Sequence, residues 1–123
     1  MEIETKRIYE GPSASDGYRV LVDRLWPRGI SKDSAKLDLW LKEVAPSDGL
    51  RKWFRHEAPK FDDFRQRYVE ELAEAAPFLE ELRERAAQGR LTLLYSARDQ
   101  THNHALVLAE VLESGTDEGN RGS

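Results

Sequence analysis

The sequence predicts an α/β fold, and two observations carry that prediction. Residues 20–29 (VLVDRLWPRG) and 91–105 (LTLLYSARDQTHNHA) each begin as an apolar run of strand type and break abruptly into Arg, Asp, Ser, His and Asn. A long stretch with helical hydrophobic spacing separates them, so the order reads strand, helices, strand, helix. That order makes the two strands parallel neighbours with a right-handed helical connection. Polar chemistry at the carboxyl ends of parallel strands is where open α/β sheets place their ligand sites.

Taken in order, residues 3–10 read as a weakly patterned edge strand, and 11–17 (GPSASDG) as a turn. Residues 18–24 carry Leu and Val on both faces and read as a central strand. The short link between these two strands predicts antiparallel neighbours, because a parallel crossover usually needs a dozen or more residues. Four helical segments follow. In residues 35–44, Leu37, Trp40, Leu41 and Val44 have i, i+3, i+4, i+7 spacing. Ser47 can cap a short helix holding Leu50, Trp53 and Phe54. Pro59 suits the first turn of a third, with the stripe Phe61, Phe64, Tyr68, Leu72. Pro77 opens a fourth, with Phe78, Leu79 and Leu82 inward, and Gly89 at its end. Trp40 and Trp53 read as core. Residues 91–95 form the second clear strand and 101–113 the last helix. A single domain over 1–113 and a flexible tail over 114–123 complete the reading.

Composition narrows the function classes. The chain has 123 residues, 34% of them charged, and no cysteine. Thiol catalysis, disulfides and thiolate metal sites are excluded, and a reducing cytoplasm fits. No apolar run approaches a membrane span, and the first ten residues are too polar for a secretory signal. The net charge of −4 argues against a duplex-DNA binder, which needs a basic surplus.

The two strand ends give the candidate site. They bring Asp23, Arg24 and Arg28 towards Ser96, Arg98, Asp99, His102, Asn103 and His104. Guanidinium groups match carboxylate or phosphate oxygens, and the start of the last helix adds N–H donors. Arg24, Arg28, Ser96, Arg98, Asp99 and Asn103 are the expected ligand-binding residues. The plain alternative is that Arg24 and Arg98 pair with Asp23 and Asp99 and hold the loops together. Asp23, His102 and His104 are the acid–base candidates. His102 and His104, two apart on a helix, point in nearly opposite directions and cannot share a metal ion. Asp99 with His102, or a pair including His56, has the reach, yet no metal site is expected. The run Arg51-Lys52-Trp53-Phe54-Arg55-His56 mixes basic and aromatic residues as single-strand binders do, and more often marks a solvated helix face.

The motifs DRLWPRG, LDLWLKEVAPS and LLYSARDQTHNHA resemble the domain of unknown function 488 family, in its YeaO-like bacterial branch, from Thr5 to about Leu112. The resemblance implies a small cytoplasmic α/β protein with a Rossmann-like three-layer arrangement and a mostly parallel central sheet. It implies no settled activity. Asp23 and Pro27 match the family's strand-end Asp and downstream Pro. Other branches carry a Cys-His-Arg element near the last helix, where this chain has Asn103-His104-Ala105.

Three functions follow from these residues. The first is an enzyme on a small phosphate- or carboxylate-bearing molecule. The second is a non-catalytic module holding the same kind of anion. The third is a nucleic-acid or protein partner using the face from Arg51 to His56. The residues name no cofactor and leave oligomeric state open.

Overall fold

The computed structural model describes residues 1–121, and of 115–121 the backbone alone. Among the described residues, four strands form one sheet: β1 (Ile3–Arg7), β2 (Tyr18–Leu21), β3 (Leu39–Trp40) and β4 (Leu91–Tyr95). The order is β1-β4-β2-β3 and every pairing is parallel. Five α-helices accompany it: α1 (Lys32–Ala35), α2 (Asp48–Phe54), α3 (Phe61–Leu72), α4 (Ala76–Gln88) and α5 (His104–Arg121). This is the small Rossmann-like α/β domain that the sequence predicts.

Strand alternation divides the core into two parts. Val20, Val22, Leu91, Leu93 and Tyr95 face one side, where they meet α2, α3, α4 and α5. Leu21 and Leu94 face the other, covered by Ile8, Ala35, Trp26, Ile30, Leu37 and Trp40 from α1, β3 and the connections between strands. The predicted stripes hold in the long helices: Phe61, Phe64, Tyr68 and Leu72 of α3 are all buried, as are Leu79 and Leu82 of α4. Each such side chain contributes roughly 1.5–3 kcal/mol of transfer free energy. The tail expected over 114–123 falls on the end of α5 and on residues 122–123, which lie outside the described residues.

Three expectations are corrected. First, β1 and β2 are not antiparallel neighbours: β4 lies between them and pairs with both in parallel. The strands are so short that residues 8–17, wound into two 3-10 turns, suffice to return the chain to the same end of the sheet. Gly17 closes that return. Its φ is +68°, and a Cβ there would meet the Arg90 carbonyl oxygen at 2.2 Å.

Second, residues 35–44 are not a helix. One turn, α1, ends at Lys36 with φ 48°; β3 then adds to the open edge of β2, and a 3-10 turn follows. Asp38 N donates to Arg19 O, and Leu41 N to Leu21 O, both at 2.9 Å. The four residues that looked like one stripe serve two cores: Leu37 and Trp40 pack on one side of the sheet, Leu41 and Val44 on the other. Backbone pairing to an open edge outweighs local helix propensity. Trp40 and Trp53 are accordingly half-buried rather than fully in the core.

Third, the last helix starts at His104 rather than Thr101, because Asn103 caps it: its Oδ1 accepts from Leu106 N at 3.1 Å.

Candidate functional site

The register of the two central strands sets the site. Leu21 pairs with Leu94, and Val22 N donates to Leu94 O at 3.0 Å. Two residues beyond the last pair, Asp23 and Ser96 therefore leave the same sheet edge side by side. Asp23 Oδ2 accepts from Ser96 Oγ at 2.6 Å and from Ser96 N at 3.0 Å. On the other side His104, at the start of α5, brings Nε2 to 3.1 Å from both Val22 O and Asp23 Oδ1. Both neighbours are acceptors, so this nitrogen carries a hydrogen. It is aimed at the Val22 carbonyl; Asp23 Oδ1 stays within ion-pairing distance but accepts no well-aligned hydrogen bond.

Asp23 is 8% exposed. Burial by itself would raise its pKa, but the His104 imidazole and the two Ser96 donors outweigh burial and hold it below the usual carboxylate range. The carboxylate is an anion at neutral pH and a poor proton acceptor.

In front of this clamp lies a cavity of about 360 Å³. Its inner wall is apolar: Phe54, Phe64, Pro46 and Ala97. Phe54 and Phe64 stack with ring centroids 4.3 Å apart. Its polar and charged lining is Asp23, Arg24, Arg28, Arg51, His56, Ser96 and His104. Its remaining wall is the rigid loop after β2, with Leu25, Trp26 and Pro27, and Tyr9 from the turn after β1.

Each part is positioned by an identifiable interaction. Trp26 Nε1 donates to Ile30 O at 2.6 Å, and Gly29 with φ +79° permits the turn between them. Tyr9 Oη donates to Arg28 O at 2.8 Å. Trp40 Nε1 donates to Asp23 O at 2.8 Å, and its ring meets Trp26 edge to face. Arg7 Nε donates to Ala97 O and its Nη2 to Ser96 O, fixing the end of β4. Ser47 caps α2, and Glu71 of α3 accepts from Ser47 N at 2.8 Å and Oγ at 2.5 Å. That clamp sets the angle of α2, which delivers Arg51 and Phe54. Arg24 Nε donates to Pro46 O at 3.3 Å and lies 3.8 Å from Asp48, to which Arg51 also donates. Arg28 is exposed, and its guanidinium has no partner among the described residues.

Of the sequence candidates, Asp23, Arg24, Arg28, Ser96 and His104 meet at this cavity. Arg98, Asp99, His102 and Asn103 do not; they build a turn closed on itself. Asp99 Oδ1 accepts from Thr101 N and His102 N, and Oδ2 lies 3.0 Å from His102 Nδ1. These donors, Thr101 N foremost, lower the Asp99 pKa to about 2. Asn103 is fully buried and donates to Asp99 O at 2.9 Å. His102 precedes α5 and sets its ring against Phe61. Arg98 is exposed, with no bond among the described residues. The plain alternative is not what forms: Arg24 reaches Asp48 and the Pro46 carbonyl, and Asp23 engages Ser96 and His104. Among the described residues no three His, Asp or Glu side chains are placed to hold a metal ion.

Sequence reasoning missed Tyr9, Pro46, Phe54 and Phe64 as pocket residues, and read Arg51 and His56 as part of a separate face. The basic-aromatic run was the available signal. Its docking against the strand ends depends on the Ser47–Glu71 clamp, which has no local signature.

Comparison with known proteins agrees with this architecture. The chain is 51% identical to the uncharacterized protein YeaO of Escherichia coli K12 over 114 residues, 93% of this chain and 99% of that one. It is 44% identical to the uncharacterized protein Rv3073c of Mycobacterium tuberculosis over 110 residues, 89% and 92% of the two chains. No solved structure gives a significant match. The family model of the inactive DUF488-N3 subclade matches residues 2–123, and the chain belongs to that family.

Proposed function

We propose that this protein binds a small organic anion, a carboxylate or phosphate, in the cavity at the carboxyl ends of β2 and β4, and holds it without transforming it. The carrying observation is the convergence of Arg24, Arg28 and Arg51, from two separate segments, on one concave site. Charge-assisted hydrogen bonds from several guanidinium groups favour an anion there.

The holding role is supported by the state of the acid–base residues. Asp23 is a depressed-pKa carboxylate already engaged by Ser96, the Ser96 hydroxyl is committed to it, and His104 Nε2 is spent on Val22. A proton-abstracting base needs a pKa nearer the working pH. The family's description as an inactive subclade points the same way. A nucleic-acid face over α2 is less well supported, because Trp53 is not free to stack on a base: Lys60 and Arg67 lie over its ring, 5.1 and 4.3 Å from the centroid. Among the described residues no helix is long and apolar enough to cross a membrane. We place the binding in the cytoplasm, which a cysteine-free chain suits.

Calorimetric titration of acetate and inorganic phosphate tests the proposal. Saturable binding to the wild type should weaken about tenfold or more in Arg28→Ala and stay unchanged in Arg98→Ala. Negligible binding to all three proteins would remove the anion reading.

A further inference from the structure

We infer that His104 is a further cation of this site: an anion in the cavity is held by the imidazolium form of its ring, through Nδ1–H, so that binding the anion takes up a proton from solvent. This rests on the anion reading above and specifies how the anion is held.

Three observations carry it. First, the ring has one committed nitrogen and one free one. Nε2 lies 3.1 Å from both Val22 O and Asp23 Oδ1, so it carries a hydrogen. Nδ1 has no hydrogen-bond partner among the described residues, yet the buried side-chain atoms left unpartnered there are Asp23 Oδ1 and Arg51 Nε alone. Nδ1 is therefore reachable from outside, and the opening that His104 lines is the cavity.

Second, the wall of this cavity already holds an anion. Asp23 Oδ1 is buried, accepts no hydrogen bond and faces His104 Nε2. A full positive charge on the ring stabilises such a carboxylate more than the neutral ring does. A ligand anion brought near Asp23 adds repulsion unless a cation serves both. The two ring nitrogens point apart, so one imidazolium meets Asp23 with Nε2 and the ligand with Nδ1.

Third, the other groups around the ring make its charge depend on the ligand. Tyr68 of α3 meets it edge to face at 6.1 Å, and burial pushes the Tyr68 hydroxyl up, so it stays neutral. Ser96 at the end of β4 has no charge, and His102 is turned to Asp99. Across the cavity stand Arg24 and Arg28 from the loop after β2, Arg51 of α2, His56 just beyond it, and Tyr9. The guanidinium groups oppose a charge on the ring. An anion among them offsets that opposition, and the ring gains its proton as the ligand enters. The proton returns to solvent on release, and no bond within the ligand changes.

The test is a titration of the full chain with sulfate and with acetate, both of which keep their charge between about pH 6 and 8. Affinity should be greatest at the acid end and weaken about tenfold by the alkaline end. Calorimetry at about pH 7, in two buffers of different ionisation enthalpy, should show proton uptake on binding. Nitrogen NMR should show the His104 ring, and not those of His56 or His102, passing to imidazolium as acetate is added. His56→Gln should keep the pH dependence, whatever it does to the affinity itself. His104→Gln should lose it and bind throughout as weakly as the wild type does at the alkaline end; should that variant not fold, the wild-type ring spectrum decides alone. Affinity independent of pH, with no proton uptake and no change at the His104 ring, overturns this inference and leaves the anion reading standing. Uptake that is kept in His104→Gln and lost in His56→Gln assigns the coupling to His56 and overturns it too. If neither anion binds at any of these pH values, the anion reading falls and this inference with it.

Discussion

Asp16 and Asp23 flank β2 at its two ends, 6% and 8% exposed, and the contrast between them separates a structural carboxylate from one at a candidate site. Asp16 is fully paired. Lys6 Nζ reaches both its oxygens at 3.1 Å, Arg19 Nη1 donates to Oδ2 at 2.5 Å, and Ser13 N adds a fourth bond. Arg19 spends its other nitrogens on the carbonyls of Lys36 and Ala35. Burial would raise the Asp16 pKa, and Ser13, Lys6 and Arg19 lower it instead. That end of the sheet is closed by protein. Asp23 has no arginine at all, although Arg24 follows it and two more arginines line the same cavity. Its partners are a hydroxyl, an amide and an imidazole; beside it Arg24 and Arg51 share Asp48, and the Arg28 guanidinium has no partner among the described residues.

The largest effect expected from this comparison is at the closed end. Arg19→Met leaves Asp16 with Lys6 and the Ser13 amide, and strips the Ala35 and Lys36 carbonyls of their donor. Thermal or urea unfolding should show a loss of about 3 kcal/mol, near the lower bound for breaking a buried pair because Lys6 remains. A loss under ~1 kcal/mol would mean that this cluster is far less decisive than its geometry indicates.

Asp23→Asn should cost less, about 1–3 kcal/mol. The amide oxygen must stay with the two Ser96 donors, which turns its NH2 towards the hydrogen on His104 Nε2. The pH dependence gives the sharper reading. A depressed folded-state pKa contributes stability that is complete above the unfolded value, near ~4, and is lost as pH falls through the folded value. The gap between wild type and Asp23→Asn should therefore be widest near neutrality and narrow as the solution is acidified below about pH 4. A gap that stays constant with pH would mean that the charge on Asp23 contributes nothing.

Trp40→Phe keeps the edge contact with Trp26 and removes the indole bond to Asp23 O. About 1 kcal/mol should be lost in a melt, and anion affinity should fall with it because the loop after β2 loosens. Unchanged affinity would show that the loop is held by Trp26 and Tyr9 alone.

The smallest stability effects separate the two exposed arginines. Arg28→Ala and Arg98→Ala should each change stability by less than about 0.5 kcal/mol. Only the first should alter anion binding. Equal loss of binding in both would move the site towards the start of α5, where the strand-end rule alone had also placed Arg98.

The strand-end rule located the cavity, because it needs only two apolar runs and the polar residues that follow them; Asp23, Arg24, Arg28 and Ser96 were legible on that basis. The stripes of α3 and α4 were legible because each of those helices buries one face against one core. Residues 35–44 were not, because Leu37 and Trp40 serve one side of the sheet and Leu41 and Val44 the other, which imitates a helical period. Asp99, His102 and Asn103 were assigned to the site by proximity in sequence, yet their side chains bond first to the nearest backbone and build a turn. The amino-acid order by itself determined the parallel pair, the absence of thiol chemistry and the end of the sheet where polar groups gather. Only the tertiary structure decided which strand lies beside β1, which arginine is left without a partner, and that α2 and α3 pack behind the cavity. Local pattern records the preferences of each segment. Open hydrogen-bonding edges and distant clamps such as Ser47–Glu71 decide between them once the segments meet.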